Sequence, residues 1–484
     1  MGFEIDSFVH GSFSWIDWTF ISRVSYVLAA FSVIAEFSVK GEGVADLKQV
    51  HVVVRHGARA PLQNFDGSGY YSGDWPHGLA QLTAEGIMQQ YQLGSFLRRR
   101  YSKFLTPDKE LEEIYVQSTD HDRTLQSALA MSAGLFLPSD NHSWESPGQA
   151  VPLAKMWQPI PVHTTSLDHE YILKPTAKCQ KLERLNRDLH NMPKMAQAAQ
   201  EFQETDKLLA KYIAQLKAPK GHKTTFWERV PVAADMFASL SSRSLALPPW
   251  MRNIELMNNV TSLADLQFMH WVGAFDDEER SRIVGGALLN IILERMRNST
   301  KGEIVPKFFL YSGHDSSVAG LLSTLQVYNS SRVPSLHRIP LYNAFVIMEL
   351  FANNTVRITY SSAKELRSYR NNTEWRDAEL FIYKHPNCSV YCPLVDMIEM
   401  NQRYVVANWE HECDDRNFLL RAITEHVPAS GAWATIGVLG VLLVMFVGFR
   451  WWKDRKHHFN NRPVASQSLS DSVISYRTLE NLNA

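Results

Sequence analysis

A run of 23 residues without a formal charge, Val427 to Phe449, constrains this 484-residue chain more than any other feature. Its strongly apolar part, Gly431 to Phe449, has 19 residues. At ~1.5 Å per residue it reaches about 30 Å, the thickness of a bilayer core. A buried core helix is the competing reading, and the flanks argue against it. Trp433 sits near one edge, while Arg450, Trp451, Trp452, Lys453, Arg455 and Lys456 crowd the other. Aromatic belts and cytoplasmic positive charge mark membrane spans. The pattern predicts one transmembrane helix over 428–449, a cytosolic tail over 450–484, and everything upstream outside the cytosol.

That topology requires an export signal. Arg23 precedes an apolar stretch from Val24 to Ala35, and Val33-Ile34-Ala35 offers the small-residue spacing of a cleavage site. Residues 1–35 therefore read as an N-terminal extension and signal sequence, although Glu4, Asp6 and Asp17 are foreign to a basic leader. Asp6 where a Ser or Thr would stand argues against myristoylation. Asn-x-Ser/Thr sequons occur at Asn141, Asn259, Asn298, Asn329, Asn353, Asn371 and Asn387, all between the two apolar segments. Their one-sided distribution agrees with a luminal or extracellular domain over 36–427. With 49 Lys and Arg against 50 Asp and Glu, the chain has no polycationic character for nucleic acid.

Within that domain the pattern alternates. Gln49 to Val54 is a β-branched run stopping at Arg55-His56-Gly57, and Glu85 to Tyr101 reads as a helix. Leu111 to Val116 reads as a strand and Arg123 to Phe136 as a helix. Helical stripes then take over, with Leu182, Leu185 and Leu189 in one and Leu208, Leu209, Tyr212, Ile213 and Leu216 in another. Ser281 to Arg297 is again helical, Phe308 to Tyr311 is a buried strand ending at Ser312-Gly313-His314-Asp315, and Ala344–Phe351 with Thr355–Tyr360 form a hairpin. The expected fold is α/β, with a core over 47–165 and 282–415 interrupted by an α-helical cap over 166–281.

Two motifs carry chemistry, each at the C-terminal end of an expected strand, where open α/β sheets bind ligands. In Arg55-His56-Gly57-Ala58-Arg59-Ala60-Pro61, two guanidinium forks flank a histidine, and Gly57 is read as letting the backbone turn sharply. A neutral histidine there can attack phosphorus while the arginines absorb transition-state charge. In His314-Asp315, the carboxylic acid can protonate a leaving alkoxide beside a histidine that bonds phosphoryl oxygens.

These motifs, with Trp75-Pro76-His77-Gly78, Gln81-Leu82-Thr83, Ser118-Thr119-Asp120, Asp122-Arg123-Thr124 and Trp157 to His163, resemble the histidine acid phosphatases, in the pattern of the animal prostatic and lysosomal enzymes. The resemblance runs from about Leu47 to Cys413. It implies a mixed central sheet flanked by helices with a smaller helical domain over the site, and it requires no metal or other cofactor. By it, His56 is the nucleophile and Asp315 the proton donor, while Arg55, Arg59, Arg123 and His314 bind phosphate. Four cysteines allow three pairings, and the resemblance favours Cys179 with Cys413 and Cys388 with Cys392. Departures from the family pattern are Gln117 where Arg is frequent, Ala58 where relatives carry Asp, and His121 where an apolar residue is common. His121 is read as a packing or surface variant. The expected partners are small phosphomonoesters, the membrane, a second copy of the chain as in relatives, and a sorting adaptor at Tyr476 and Leu479. The expected address is a type I membrane protein of lysosome, endosome or cell surface. A catalytically weak ectodomain that binds phosphate esters is the alternative, as is a phosphatase restricted to lysophospholipids, inositol phosphates or nucleotides.

Overall fold

The computed structural model describes residues 47–106, 110–136, 158–175, 177–214, 216, 223–303, 306–329, 336–362 and 380–414. The signal sequence, Asn141, Asn371, the 428–449 span, and the tail with Tyr476 and Leu479 lie outside the described residues. Among the described residues no helix is long and apolar enough to cross a membrane.

The described strands form one sheet: β1 (Leu47–Arg55), β2 (Ile114–Thr119), β3 (Val162–Thr165), β4 (Phe308–Gly313), β5 (Phe345–Phe351), β6 (Thr355–Ser361), β7 (Phe381–Tyr383) and β8 (Cys392–Pro393). Their order is β3-β2-β4-β1-β5-β6-β7, with β8 also on β6. The β3-β2-β4-β1 half is parallel and the rest antiparallel, so the sheet is mixed. Central strands buried on both faces read as near-continuous apolar runs, which is why β1 and β4 were legible.

The two-residue period of β1 divides two cores. Val50, Val52 and Val54 join Phe308 and Leu310 beneath α1 (Ala84–Arg100) and α2 (Asp122–Leu135), where Leu93, Leu97 and Met131 pack. Val53, Phe309 and Tyr311 face Leu289, Ile292, Val318 and Leu322. A third core belongs to helices of the 180–271 segment: α3 (Gln180–Leu189), α4 (Pro193–Glu201), α5 (Gln203–Tyr212), α6 (Phe226–Ser242) and α7 (Ile254–Trp271). Met195, Leu209, Val230, Met236 and Val260 fill it, and Phe65 and Trp75 from the loop after β1 enter it. The sheet's far face is closed by α8 (Ala287–Thr300) and α9 (Asp315–Thr324). Gly285, in a π-helical turn before α8, lies so close to the Gly320 carbonyl that a Cβ would overlap it.

Two expectations need correction. Leu111 to Val116 is not a strand throughout: Glu110–Glu113 makes a helical turn, and β2 begins at Ile114 because the acidic residues cannot enter an interior strand. Gly57 does not take a left-handed conformation. It is needed because a Cβ there would run into the Gly86 carbonyl of α1. The disulfides are Cys179–Cys413 and Cys388–Cys392.

Candidate active site

Parallel register brings the chemistry together. Arg55 pairs with Gly313 across β1 and β4, and Ser118 pairs with Ser312 across β2 and β4, so the three strand ends open on one crevice. His56 follows β1, His314 and Asp315 follow β4, and Arg123 stands in the first turn of α2 after β2.

The His56 backbone is clamped. Its N–H donates to Gly313 O at 2.9 Å and its carbonyl accepts from Asn343 N at 3.2 Å. Behind it, buried Gln90 donates to Arg55 O (3.0 Å) and Asn343 Oδ1 (2.8 Å). Asn343 itself takes a left-handed φ of 66°, which Asn tolerates better than most residues. The helix α1 is capped by Thr83, whose Oγ1 accepts from Gly86 N and donates to Ala58 O, tying the first motif to that helix.

His56 Nδ1 lies 2.8 Å from Gly57 O. A carbonyl only accepts, so Nδ1 carries the proton and Nε2 keeps its lone pair. Burial, then the charges of Arg123, Arg55 and Arg59, hold the imidazole pKa well below its ordinary value. The His314 ring meets His56 edge-on at 5.6 Å, and His314 Nε2 is 3.0 Å from Thr119 Oγ1. Burial first, then Lys174 and Arg123, lower its pKa as well. His314 caps α9 through its backbone N–H to Ser317 Oγ, which sets Asp315 in the first turn, where a helix N-terminus favours an anion.

Each arginine has different company. Arg55 Nη2 is 2.9 Å from Asp315 Oδ2, its Nη1 donates to Pro340 O, and its guanidinium stacks 4.4 Å from the Tyr342 ring centroid. Arg59 forms a two-point pair with Asp235 of α6, at 2.7 and 3.3 Å. Burial opposes the Arg59 charge, and Asp235 more than offsets it, raising the pKa. Arg123 has no acceptor for its buried Nε among the described residues, and burial with its fellow arginines draws its pKa down to about 10.

All six residues expected in the site therefore gather at one crevice. Sequence reasoning missed several others. Asp235 is a lone carboxylate on an otherwise apolar stretch of α6, which was its only signal. Tyr342 and Pro340 sit on a strap whose Ile339 N–H donates to Asp265 Oδ1 at 2.9 Å, and burial pushes Asp265 up to about 6. Lys174 was also missed, and His121 was read as a packing or surface variant. The His121 ring meets His314 at 5.1 Å and its Nε2 lies 3.4 Å from Lys174 Nζ, so it belongs to the site rather than the surface. Gln117 is buried on β2, beside Tyr311 of β4 and His163 of β3.

The family model described as histidine phosphatase superfamily (branch 2) matches residues 46–361. Human prostatic acid phosphatase is 32% identical over 376 residues, covering 77% of this chain and 89% of that protein. Human lysosomal acid phosphatase is 30% identical over 405 residues, covering 84% of this chain and 88% of that protein. Among solved structures, the Citrobacter braakii phytase superposes with a TM-score of 0.55 at 16% identity, covering 76% of this chain and 99% of the phytase, a likeness of fold alone.

Proposed function

The chain belongs to branch 2 of the histidine phosphatase superfamily and is a histidine acid phosphatase; we propose that it hydrolyses phosphomonoesters through a phosphohistidine on His56. The observation that carries this reading is the His56 Nδ1–H bond to Gly57 O, which leaves the Nε2 lone pair among Arg55, Arg59 and Arg123.

In the first step the His56 Nε2–phosphorus bond forms as the bond to the ester oxygen breaks, and Asp315 gives that oxygen its proton. In the second, water attacks phosphorus and returns a proton to Asp315, freeing inorganic phosphate and neutral His56. The arginines stabilise charge on the equatorial oxygens in both steps. His314, with Nε2 held 3.0 Å from Thr119 Oγ1, lies edge-on against His56 beside the phosphoryl site. A buried imidazole kept neutral by its surroundings stays nucleophilic in acid.

The finer address is also a proposal: a luminal or extracellular catalytic domain anchored by the 428–449 span, with the 450–484 tail meeting a sorting adaptor through Tyr476 and Leu479. Its support is the disulfide pair within the domain, which suits an oxidising compartment, and the exposure of the sequons Asn353 and Asn387. The positive charge of the 450–484 tail supports the anchor.

The test is hydrolysis of 4-nitrophenyl phosphate by the full-length chain beside His56→Ala and Asp315→Asn. Turnover at mildly acidic pH that disappears in His56→Ala is expected, with a reduced kcat in Asp315→Asn. Undiminished turnover in His56→Ala would sink the reading.

A further inference from the structure

Lys174 stands at the crevice with no carboxylate in ion-pair contact among the described residues, the charge of Asp315 alone acting in its favour. Its neighbour Leu173 is locked in the main core, and the Leu173 carbonyl accepts from Ser317 Oγ on α9. The lysine is thus fixed to the helix that carries Asp315. Its Nζ lies 3.4 Å from His121 Nε2, and the His121 ring abuts His314.

The surrounding acids are spoken for. Glu170 accepts the N–H groups of Ile172 and Leu173 through Oε1. Asp122 is exposed and takes Gln81 Nε2. Asp315 faces Arg55, and Asp235 faces Arg59. Burial first, then the charges of Arg123 and Arg59, lower the Lys174 pKa to about 8, so the ammonium persists throughout the acidic range. Burial, with Lys174 and Arg123, draws His121 down to about 3, so at mildly acidic pH it meets the ammonium as a neutral acceptor.

Charge then decides the ligand. Arg55, Arg59, Arg123 and Lys174 are four cations against the carboxylates Asp315 and Asp235. When Asp315 is protonated to act as donor, the surplus is three positive charges. A phosphoryl group, with a second pKa near ~6, brings only about one to two negative charges at such pH. At least one positive charge is left over, and Lys174 is the cation that the phosphoryl-binding set does not include.

We propose that Lys174, steadied by His121, is a further substrate-binding residue that selects phosphomonoesters whose leaving group carries a second negative charge. The proposal rests on the phosphatase reading above and deepens it. His121 is then a positioning residue that orients the ammonium through its Nε2.

The test compares 2-phosphoglycerate with glycerol 2-phosphate, which differ in a carboxylate against a hydroxymethyl group. In the full-length protein the ratio of their kcat/KM values is expected to exceed one. Lys174→Met should lower that ratio about tenfold, the effect of one partly desolvated charge contact, and Lys174→Arg should keep most of it. A merely structural role would depress both substrates together and leave the ratio alone. A ratio at or below one in the native chain, or one unchanged in Lys174→Met, overturns the proposal. Should Lys174→Met not fold, the native ratio alone decides. His56→Ala, assayed in parallel, tests the parent reading separately, because its effect falls on both substrates alike.

Discussion

Asp235→Asn is the sharpest probe of how the helical layer serves the crevice. The substitution keeps an oxygen for the Leu62 N–H, which Asp235 Oδ2 accepts at 2.8 Å, and removes the charge facing Arg59 together with the Oδ1 acceptor for its Nη2, which an amide NH2 replaces. Two unit charges about 4 Å apart at an effective dielectric near 20 attract by roughly 4 kcal/mol. Asp235 keeps 18% of its side chain exposed against 5% for Arg59, so water screens part of this. About 2–3 kcal/mol is then lost from the hold on Arg59. If half of that loss is felt in the transition state, kcat falls about tenfold. The site's positive charge meanwhile rises by one unit, which favours binding of an anion. The expected signature is therefore split: kcat for 4-nitrophenyl phosphate drops, while the inhibition constant for inorganic phosphate stays level or improves. Steady-state kinetics with phosphate as competitive inhibitor measures both. An unchanged kcat, or a parallel loss of kcat and phosphate affinity, would refute the idea that Asp235 aims Arg59 at the reacting group.

Two further outcomes follow. The bridge Cys179–Cys413 spans a sequence separation of 234 and Cys388–Cys392 one of 4; loop-closure entropy gives about 5 kcal/mol against about 2. Removing the long bridge by Cys179→Ser with Cys413→Ser should lower the melting temperature more than removing the short one, with kcat largely kept in the molecules that fold. Equal melting of the two variants would contradict this. The acidic limb of kcat/KM reports protonation of His56, and it should lie below pH 6.5, the ordinary imidazole value, because the imidazole pKa is lowered. After burial, the charge of Arg123 is the largest cause, so Arg123→Met removes a repulsion against His56 protonation and should move that limb upward. A limb that stays put or moves to lower pH in the pH–rate profile would show that His56 is not the group titrating.

What was legible in the sequence was what local chemistry encodes. β1 and β4 announce themselves because strands buried on both faces must be apolar throughout, and each stops at a polar motif. Parallel pairing of those strands then places His56 beside His314 without further information. The hairpin β5–β6 was visible through two runs that flank the Ala352-Asn353-Asn354 turn, where Asn354 has a φ of 61°. The four-residue β3 and the two-residue β8 are too short to carry a period, and the sheet order depends on crossovers that no local pattern records. Site residues were missed for the same reason. Asp235, Tyr342 and Lys174 reach the crevice from segments far apart in sequence, and each looks like an ordinary polar residue until the fold gives it a charged neighbour.

The most direct measurement is rapid alkali quench of the full-length protein during turnover of a labelled aryl phosphate, followed by peptide mapping at alkaline pH. The account predicts one acid-labile, alkali-stable phosphoryl group on the peptide containing His56, absent from His56→Ala and accumulating in Asp315→Asn with an activated leaving group, because water attack then lacks its base. A phosphoryl group on any other residue, or turnover at full rate with no covalent intermediate, would contradict it.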